Sequence, residues 1–250
     1  MRTCPALPSV ETMTTSRIAV VTGASRGLGF ALASALADVG YTLVIDARHG
    51  AALSSAAADL QARAGGRVTA IRGDITDPGH RADLAAAAAS LGGASLLVNN
   101  AGTLGASPLP ALADYPPDAL LAAFAVNVVA PVALTQLLLP DLRRAGGAVL
   151  NVTSDAAVEA YAGWGGYGAA KAALEQASNV LAAEENAIRV WWVDPGDMRT
   201  RMHQEAFPGE DISDRPLPDT AAAGFLRLIT ERMPSGRYRA ADLRPAGLPA

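Results

Sequence analysis

Tyr167 and Lys171 stand four residues apart in a stretch with helical character, so their side chains share one face of that helix. A free tyrosine titrates near pKa ~10 and is a poor acid–base at neutral pH. An ammonium beside it favours the phenolate and lowers that pKa, making the pair a unit that can give and take a proton. Ser154 follows an apolar run and is placed to hydrogen-bond an oxygen on which charge develops. Each residue alone is ordinary, because a tyrosine and a lysine at this spacing occur on many helices. Their order and combination point to proton transfer at a substrate oxygen.

A second set of residues suits a phosphate. Thr22-Gly23-Ala24-Ser25-Arg26-Gly27-Leu28-Gly29 lies between an apolar run and a helical stretch. Glycines there let the backbone turn tightly and approach a pyrophosphate, and the helix N-terminus offers free N–H groups and partial positive charge. A plain glycine-rich turn would read the same way in isolation; the strand–turn–helix setting raises it above that. Asn99-Asn100-Ala101-Gly102 follows another apolar run. Asparagine at a strand end is commonly a turn former. In a doubly wound sheet the same place is the carboxyl edge, where ligands bind.

The elements that must position these residues alternate strictly. Strands are expected at 18–21, 41–45, 68–71, 96–98, 148–152 and 188–193. Helices are expected at 28–39, 51–64, 83–91, 118–144 (bent near Pro131) and 167–185. The strands are short and apolar on both faces, which signals a parallel sheet covered on both sides. Right-handed crossovers make this an α/β doubly wound sheet, a Rossmann fold, in a single domain over 17–250. Residues 1–16 read as a leader without an apolar run, and either Met1 or Met13 is a candidate start. The long segment 194–218, rich in proline and charge, is expected to be irregular and functional. Within it, 197–217 is expected to be a mobile substrate loop, with Met202 and Phe207 as its apolar contacts. A last strand is expected at 237–240.

Half of the 250 residues are hydrophobic, 18% are charged and the net charge is −4. This excludes disorder over the whole length, and offers no electrostatic grip on nucleic acid or an anionic membrane surface. The apolar segment 131–140 is too short to span a bilayer. Cys4 is the only cysteine, so an intrachain disulfide and a cysteine metal cluster are ruled out, which fits a cytoplasmic location. His49, His80 and His203 lack metal-ligand spacing and read as surface residues. Glu184 and Glu185 read as a solvated helix end, and Trp191 and Trp192 as core. Tyr161 and Trp164, between Ser154 and Tyr167, are placed to wall a substrate pocket.

Together these motifs resemble the short-chain dehydrogenase/reductase family in its single-domain form, over about residues 17 to 200. The resemblance is carried by 22–29, Asp74, 99–102, Asn127, Ser154, Tyr167, Lys171 and Pro195-Gly196. It implies an NAD(P)-dependent oxidoreductase moving hydride between the cofactor and a small or medium carbonyl or alcohol. Tyr167 would be the acid–base, and Lys171 would lower its pKa and hold the nicotinamide ribose. Ser154 would orient the carbonyl, and Asn127 would hold a water in a proton relay. Gly23, Ser25, Arg26, Gly27, Leu28, Gly29, Asn100, Ala101 and Gly102 would contact the cofactor. Asp74 and Ile75 would flank the adenine; Pro195, Gly196, Met198 and Thr200 would line the nicotinamide. Met202, with Tyr161 and Trp164, would contact substrate. Assembly as a homodimer or homotetramer is also implied. The segment between Lys171 and Ile188 is shorter than is usual in the family, and Tyr238-Arg239-Ala240 replaces a glycine-rich strand end.

NADP(H) is expected to be preferred over NAD(H), although two cues conflict. Asp46 lies roughly 20 residues past the glycine turn, where an acid commonly holds the ribose 2′-hydroxyl. The family pattern instead places Ala47 at the discriminating position, turning Asp46 to the other side of the strand. Arg26 and Arg48 then suit a 2′-phosphate clamp. Two other readings compete: a catalytically idle nucleotide-sensing protein on the same fold, and an epimerase or dehydratase. The first expects loss of Tyr167 or Lys171, and the second needs a larger part after Thr200; the sequence meets neither condition.

Overall fold

A computed structural model describes residues 17–63 and 67–243; the expected leader lies outside the described residues. The first strand, β1 (Ile18–Val21), shows how the core is built. All four residues are buried, Ala19 and Val21 in one apolar cluster and Ile18 and Val20 in a second. The same alternation runs through β2 (Thr42–Ala47), β4 (Leu96–Asn99), β5 (Ala148–Val152) and β6 (Arg189–Asp194). A strand apolar on both faces must be covered on both faces, so the sheet needs two helical layers.

With β3 (Val68–Arg72) and β7 (Gly236–Arg239), the strands form one parallel seven-stranded sheet in the order β3-β2-β1-β4-β5-β6-β7. This is the expected doubly wound arrangement. Helices α1 (Gly27–Asp38), α2 (Gly50–Arg63) and α8 (Pro218–Thr230) cover one face. Helices α3 (Pro78–Ser90), α5 (Ala130–Ala145) and α6 (Gly165–Glu184) cover the other. The winding reverses between β1 and β4, which opens a crevice at their carboxyl ends.

The buried polar groups in the sheet are paired. Asn99 on β4 donates from its Nδ2 to Asn151 Oδ1 on β5 (2.8 Å). Asn151 Nδ2 donates to the Ser178 hydroxyl on α6 (2.7 Å), and that hydroxyl donates to the Leu174 carbonyl (2.7 Å). This chain ties two strands to a helix and leaves none of these amides buried without a partner.

Several sequence expectations change form. The helix expected at 118–144 is α4 (Pro117–Phe124) joined to α5 by a π-helical turn at Ala125–Val129, so the irregularity precedes Pro131. The π turn absorbs an extra residue and carries Asn127, fully buried, toward Thr103. Because the helical stretch is continuous, Pro117–Ala145 is long and apolar enough to cross a membrane by length and composition, which the segment 131–140 alone is not. Here it packs against α3 and α6 and leaves Leu121, Val129 and Leu137 exposed.

The segment expected to be irregular holds α7 (Arg201–Ala206), because the Thr200 hydroxyl caps it by accepting from the His203 amide (3.2 Å). The Arg199 amide donates to the Pro216 carbonyl (2.8 Å) and closes the base of the loop. Residues 219–233, not assigned from the sequence, are largely α8. Its buried Ala221, Ala222, Phe225, Leu228 and Ile229 recur at helical spacing.

His80 is buried, not at the surface, because it pairs with Asp46. His203 is mostly covered by Phe207, ring centres 4.9 Å apart, whereas His49 is exposed as expected. Glu185 is largely covered through its ion pair with Arg143 of α5. Phe225 is fully buried in the cluster between α8 and the sheet. Phe225→Ala is therefore expected to lower stability by about 3–5 kcal/mol, read as a fall in the urea midpoint. A midpoint within experimental error of the native value would contradict this packing.

Candidate active site

The glycine turn leaves β1 at Thr22. Gly23 adopts φ +66° and Gly27 φ +57°, conformations that side chains disfavour. A Cβ on Gly29 would overlap the Gly23 carbonyl oxygen and the Asn100 amide nitrogen. The first turn of α1 thus lies directly on the end of β4. The Thr22 hydroxyl accepts from the amides of Asn100 and Ala101 (both 3.0 Å), and Asn100 Nδ2 donates to the Thr22 carbonyl (2.9 Å). The N-cap of α1 is Arg26, whose side chain makes no capping bond, so the N–H groups of that helix end face the crevice.

Asp46 borders this crevice, but its carboxylate is engaged behind the glycine turn. It is almost fully buried, accepts from the Gly23 amide with Oδ1 (2.7 Å) and pairs through Oδ2 with His80 Nε2 (2.9 Å). It braces the glycine turn from behind. Arg26 and Arg48 are exposed at the crevice wall and have no ion-pair partner among the described residues. Asp74, on the same wall, accepts from the Thr76 amide (2.9 Å) and hydroxyl (2.8 Å). The backbone bond holds its carboxyl below the usual range.

At the other end, β5 delivers Ser154, and α6 delivers Tyr167 and Lys171 on its first turns. Lys171 is buried, donates from Nζ to the Val152 carbonyl (2.7 Å), and lies 5.6 Å from the centre of the Tyr167 ring. Burial pushes its pKa down to about 8, with Glu175 opposing. Burial pushes the Tyr167 hydroxyl up; Ser154 opposes this, while Asp194 and Asp155 add to it. Burial therefore works against the lowered tyrosine pKa expected from the sequence. The ammonium stands over the ring and is committed to a carbonyl, so desolvation wins and Tyr167 keeps its proton at neutral pH.

Asn127 lies behind the cavity wall. Its Nδ2 donates to the Thr103 carbonyl (2.8 Å) and its Oδ1 accepts from the Thr103 amide (3.0 Å). All the other predicted site residues line one continuous cavity of about 1040 Å³. Tyr161, Trp164 and Met202 are among them. Trp164 packs edge-on to Tyr167 (ring centres 5.6 Å) and against Phe207 (5.9 Å), which seats α7 over the chemical end. The expected substrate loop is thus docked through Met202, Ala206 and Phe207.

Sequence reasoning missed Asp155. Its Oδ1 accepts from the Ser154 hydroxyl (2.9 Å) and the Ala156 amide (2.8 Å), and its Oδ2 accepts from the Tyr161 hydroxyl (3.1 Å). Its place directly after Ser154 was the available signal. The glycine cradle, the free helix end and two unpaired arginines fit a dinucleotide with an anionic ribose substituent.

The short chain dehydrogenase family pattern matches residues 17–211. Sepiapterin reductase from Meriones unguiculatus is 36% identical over 201 residues, covering 76% of this chain and 77% of that protein. The 1-deoxy-11-beta-hydroxypentalenate dehydrogenase of Streptomyces avermitilis is 36% identical over 189 residues, 74% of this chain and 69% of the relative. A solved short chain dehydrogenase from Shigella flexneri, complexed with NADP, superposes with a TM-score of 0.84 at 30% identity, covering 90% of this chain and 97% of that one. A doubly wound oxidoreductase fold with its ligand crevice at the strand ends is the class these features define. The chain belongs to the short-chain dehydrogenase family, whose members act on CH–OH and C=O groups.

The position of Asp46 sets an expectation for cofactor binding. Asp46→Ala leaves the Gly23 amide and His80 without their partner, which loosens the turn shared by both dinucleotides. Dissociation constants for NADH and NADPH, measured by titration, should rise together, by about three- to thirtyfold. Loss of NADH binding alone would make Asp46 a ribose ligand and overturn this role.

Proposed function

We propose that this chain is a carbonyl reductase or alcohol dehydrogenase that prefers NADP(H), with Tyr167 as the acid–base. The observation that carries this reading is the convergence of Tyr167, Lys171 and Ser154 on one cavity that continues to the glycine turn. The bound cofactor would supply hydride to the carbonyl carbon or take it from the alcohol carbon.

The residues of the chain do the rest. Gly23, Ser25, Gly27, Leu28 and Gly29, with the start of α1, would hold the pyrophosphate, and Asn100, Ala101 and Gly102 would border the adenine-side ribose. Asp74 and Ile75 would flank the adenine. Lys171 would hold the nicotinamide ribose, while Pro195, Gly196, Met198 and Thr200 would wall the nicotinamide. Ser154 would donate to the carbonyl oxygen, which requires its hydroxyl to exchange Asp155 for the substrate. Tyr167, held protonated by burial, would give its proton to the same oxygen. The Asn127 side chain is committed to Thr103, so a relay water there would rest on the backbone carbonyl of the π turn. Met202, Trp164, Tyr161 and Phe207 would exclude water and shape the substrate end.

The substrate is a small or medium carbonyl or alcohol. The two named relatives are called after different compounds, which fits a shared reaction and a variable pocket. The exposed apolar residues of the α4–α5 stretch, together with Val180 of α6, support self-association as a homodimer or homotetramer.

Two measurements test the reading. Tyr167→Phe removes only the proton donor, so turnover of the best ketone should fall by about 10²–10⁴-fold, with NADPH affinity within about threefold of native. Near-native turnover would remove Tyr167 from the chemistry. The second concerns selectivity. NADPH should bind more tightly than NADH, and Arg48→Ala should weaken NADPH by about ten- to a hundredfold with little change for NADH. Tighter binding of NADH by the native protein would reject the 2′-phosphate clamp.

A further inference from the structure

Three consecutive residues at the exit of β5 are each gripped by a different charged side chain. Lys171 donates to the Val152 carbonyl (2.7 Å). Glu175, one helical turn further along α6, accepts from the Thr153 hydroxyl (2.8 Å). Arg237, on the last strand β7, donates from Nη2 to the Ser154 carbonyl (3.2 Å). Its Nε also donates to both Glu175 carboxylate oxygens, at 3.0 and 3.2 Å. Thr153 is 1% exposed and Glu175 9%, so the carboxylate end of the network lies inside the protein, where unpaired charge is strongly disfavoured, while the Arg237 side chain is half-buried.

The chemistry of the pair suits this task. A guanidinium presents several donors in a rigid plane, so it can hold a carboxylate and a backbone carbonyl together. Arg237 is opposite Trp192 in the β6–β7 register, and the next outward-facing arginine, Arg239, leans instead toward Asp194 at 3.9 Å. Among the described residues, Arg237 on the edge strand β7 is the strand residue whose side chain reaches the backbone carbonyl of Ser154.

We propose that Arg237 is a positioning residue for the reaction: paired with Glu175, it holds the Ser154 backbone so that the serine hydroxyl meets the substrate oxygen. The inference rests on the role of Ser154 given above. It adds a residue some 80 positions away in sequence that touches neither substrate nor cofactor. A backbone held at one end by Lys171 and at the other by Arg237 keeps Ser154 in register with Tyr167. Released, Ser154 samples positions from which the carbonyl is poorly oriented.

The variant that isolates this role is the double substitution Arg237→Met with Glu175→Gln. It leaves no buried unpaired charge, and the glutamine still accepts from Thr153. Glu175 also supports the Lys171 charge, so Glu175→Gln alone, which keeps Arg237 on the Ser154 carbonyl, is the control against which the double variant is read. Its thermal midpoint should stay close to native, and NADPH affinity should be unchanged. The kcat for a ketone should fall by about ten- to a hundredfold, with KM changed far less. Hydrogen exchange over residues 153–157 should rise. Arg237→Lys, which keeps the charge but not the planar reach, should give an intermediate kcat. Native kcat in the folded double variant, or unchanged exchange over 153–157, overturns the proposal. Exchange reads the grip without turnover: if the native protein reduces no ketone while exchange still rises, Ser154 is held as described and the assigned reaction fails instead.

Discussion

The start of α1 lies directly against the Gly23 carbonyl and the Asn100 side chain at the end of β4, and the rest of the site depends on that approach. Gly29 makes it sterically allowed, and Thr22, Asn100 and Asp46 hold it by hydrogen bonds to the turn on three sides. The free amides of a helix end then point into the crevice at the reversal of the sheet. Were the helix set back by the width of a methyl group, the pyrophosphate cradle and the chemical end would lose their common floor.

Charge is used sparingly in the interior, and each buried charge does a local job. Asp46 braces the turn with His80 behind it. Lys171 grips the exit of β5, and Glu175 sits between Thr153 and Arg237. Each has a hydrogen-bonding partner, although at Lys171 burial still outweighs Glu175, and these bonds tie down the backbone around the cavity. The chemical end is covered differently. Aromatic and aliphatic contacts from α7 seat it, and the exposed polar remainder of the loop contributes few buried contacts. Weak, apolar seating of this kind is compatible with opening for substrate entry, whereas the floor beneath it is built to stay still.

Much of this was legible from the chain. The alternating short apolar runs and helical stretches specify a parallel sheet with two helical layers, because strands apolar on both faces have no other stable cover. The glycine turn, Tyr167, Lys171 and Ser154 were legible because local spacing decides which side chains share a helix face or follow a strand end. α7 and α8 were harder. α7 is six residues long and depends on its Thr200 cap and on Phe207 meeting Trp164. The apolar positions of α8 follow a proline-rich stretch that reads as loop.

By itself, then, the sequence determined the doubly wound fold, the place of the dinucleotide turn and the serine, tyrosine and lysine that face one another. Those depend on periodicity and on contacts within a few residues. Only the tertiary structure decided which way each polar group looks. Asp46 turns back to the Gly23 amide and His80 instead of outward, and Asn127 closes on Thr103 through a π turn. Burial outweighs the lysine in setting the Tyr167 proton, and Arg237 reaches Ser154 from the far edge of the sheet. Each outcome is a balance between desolvation and a partner distant in sequence, and that balance exists only once the strands are side by side.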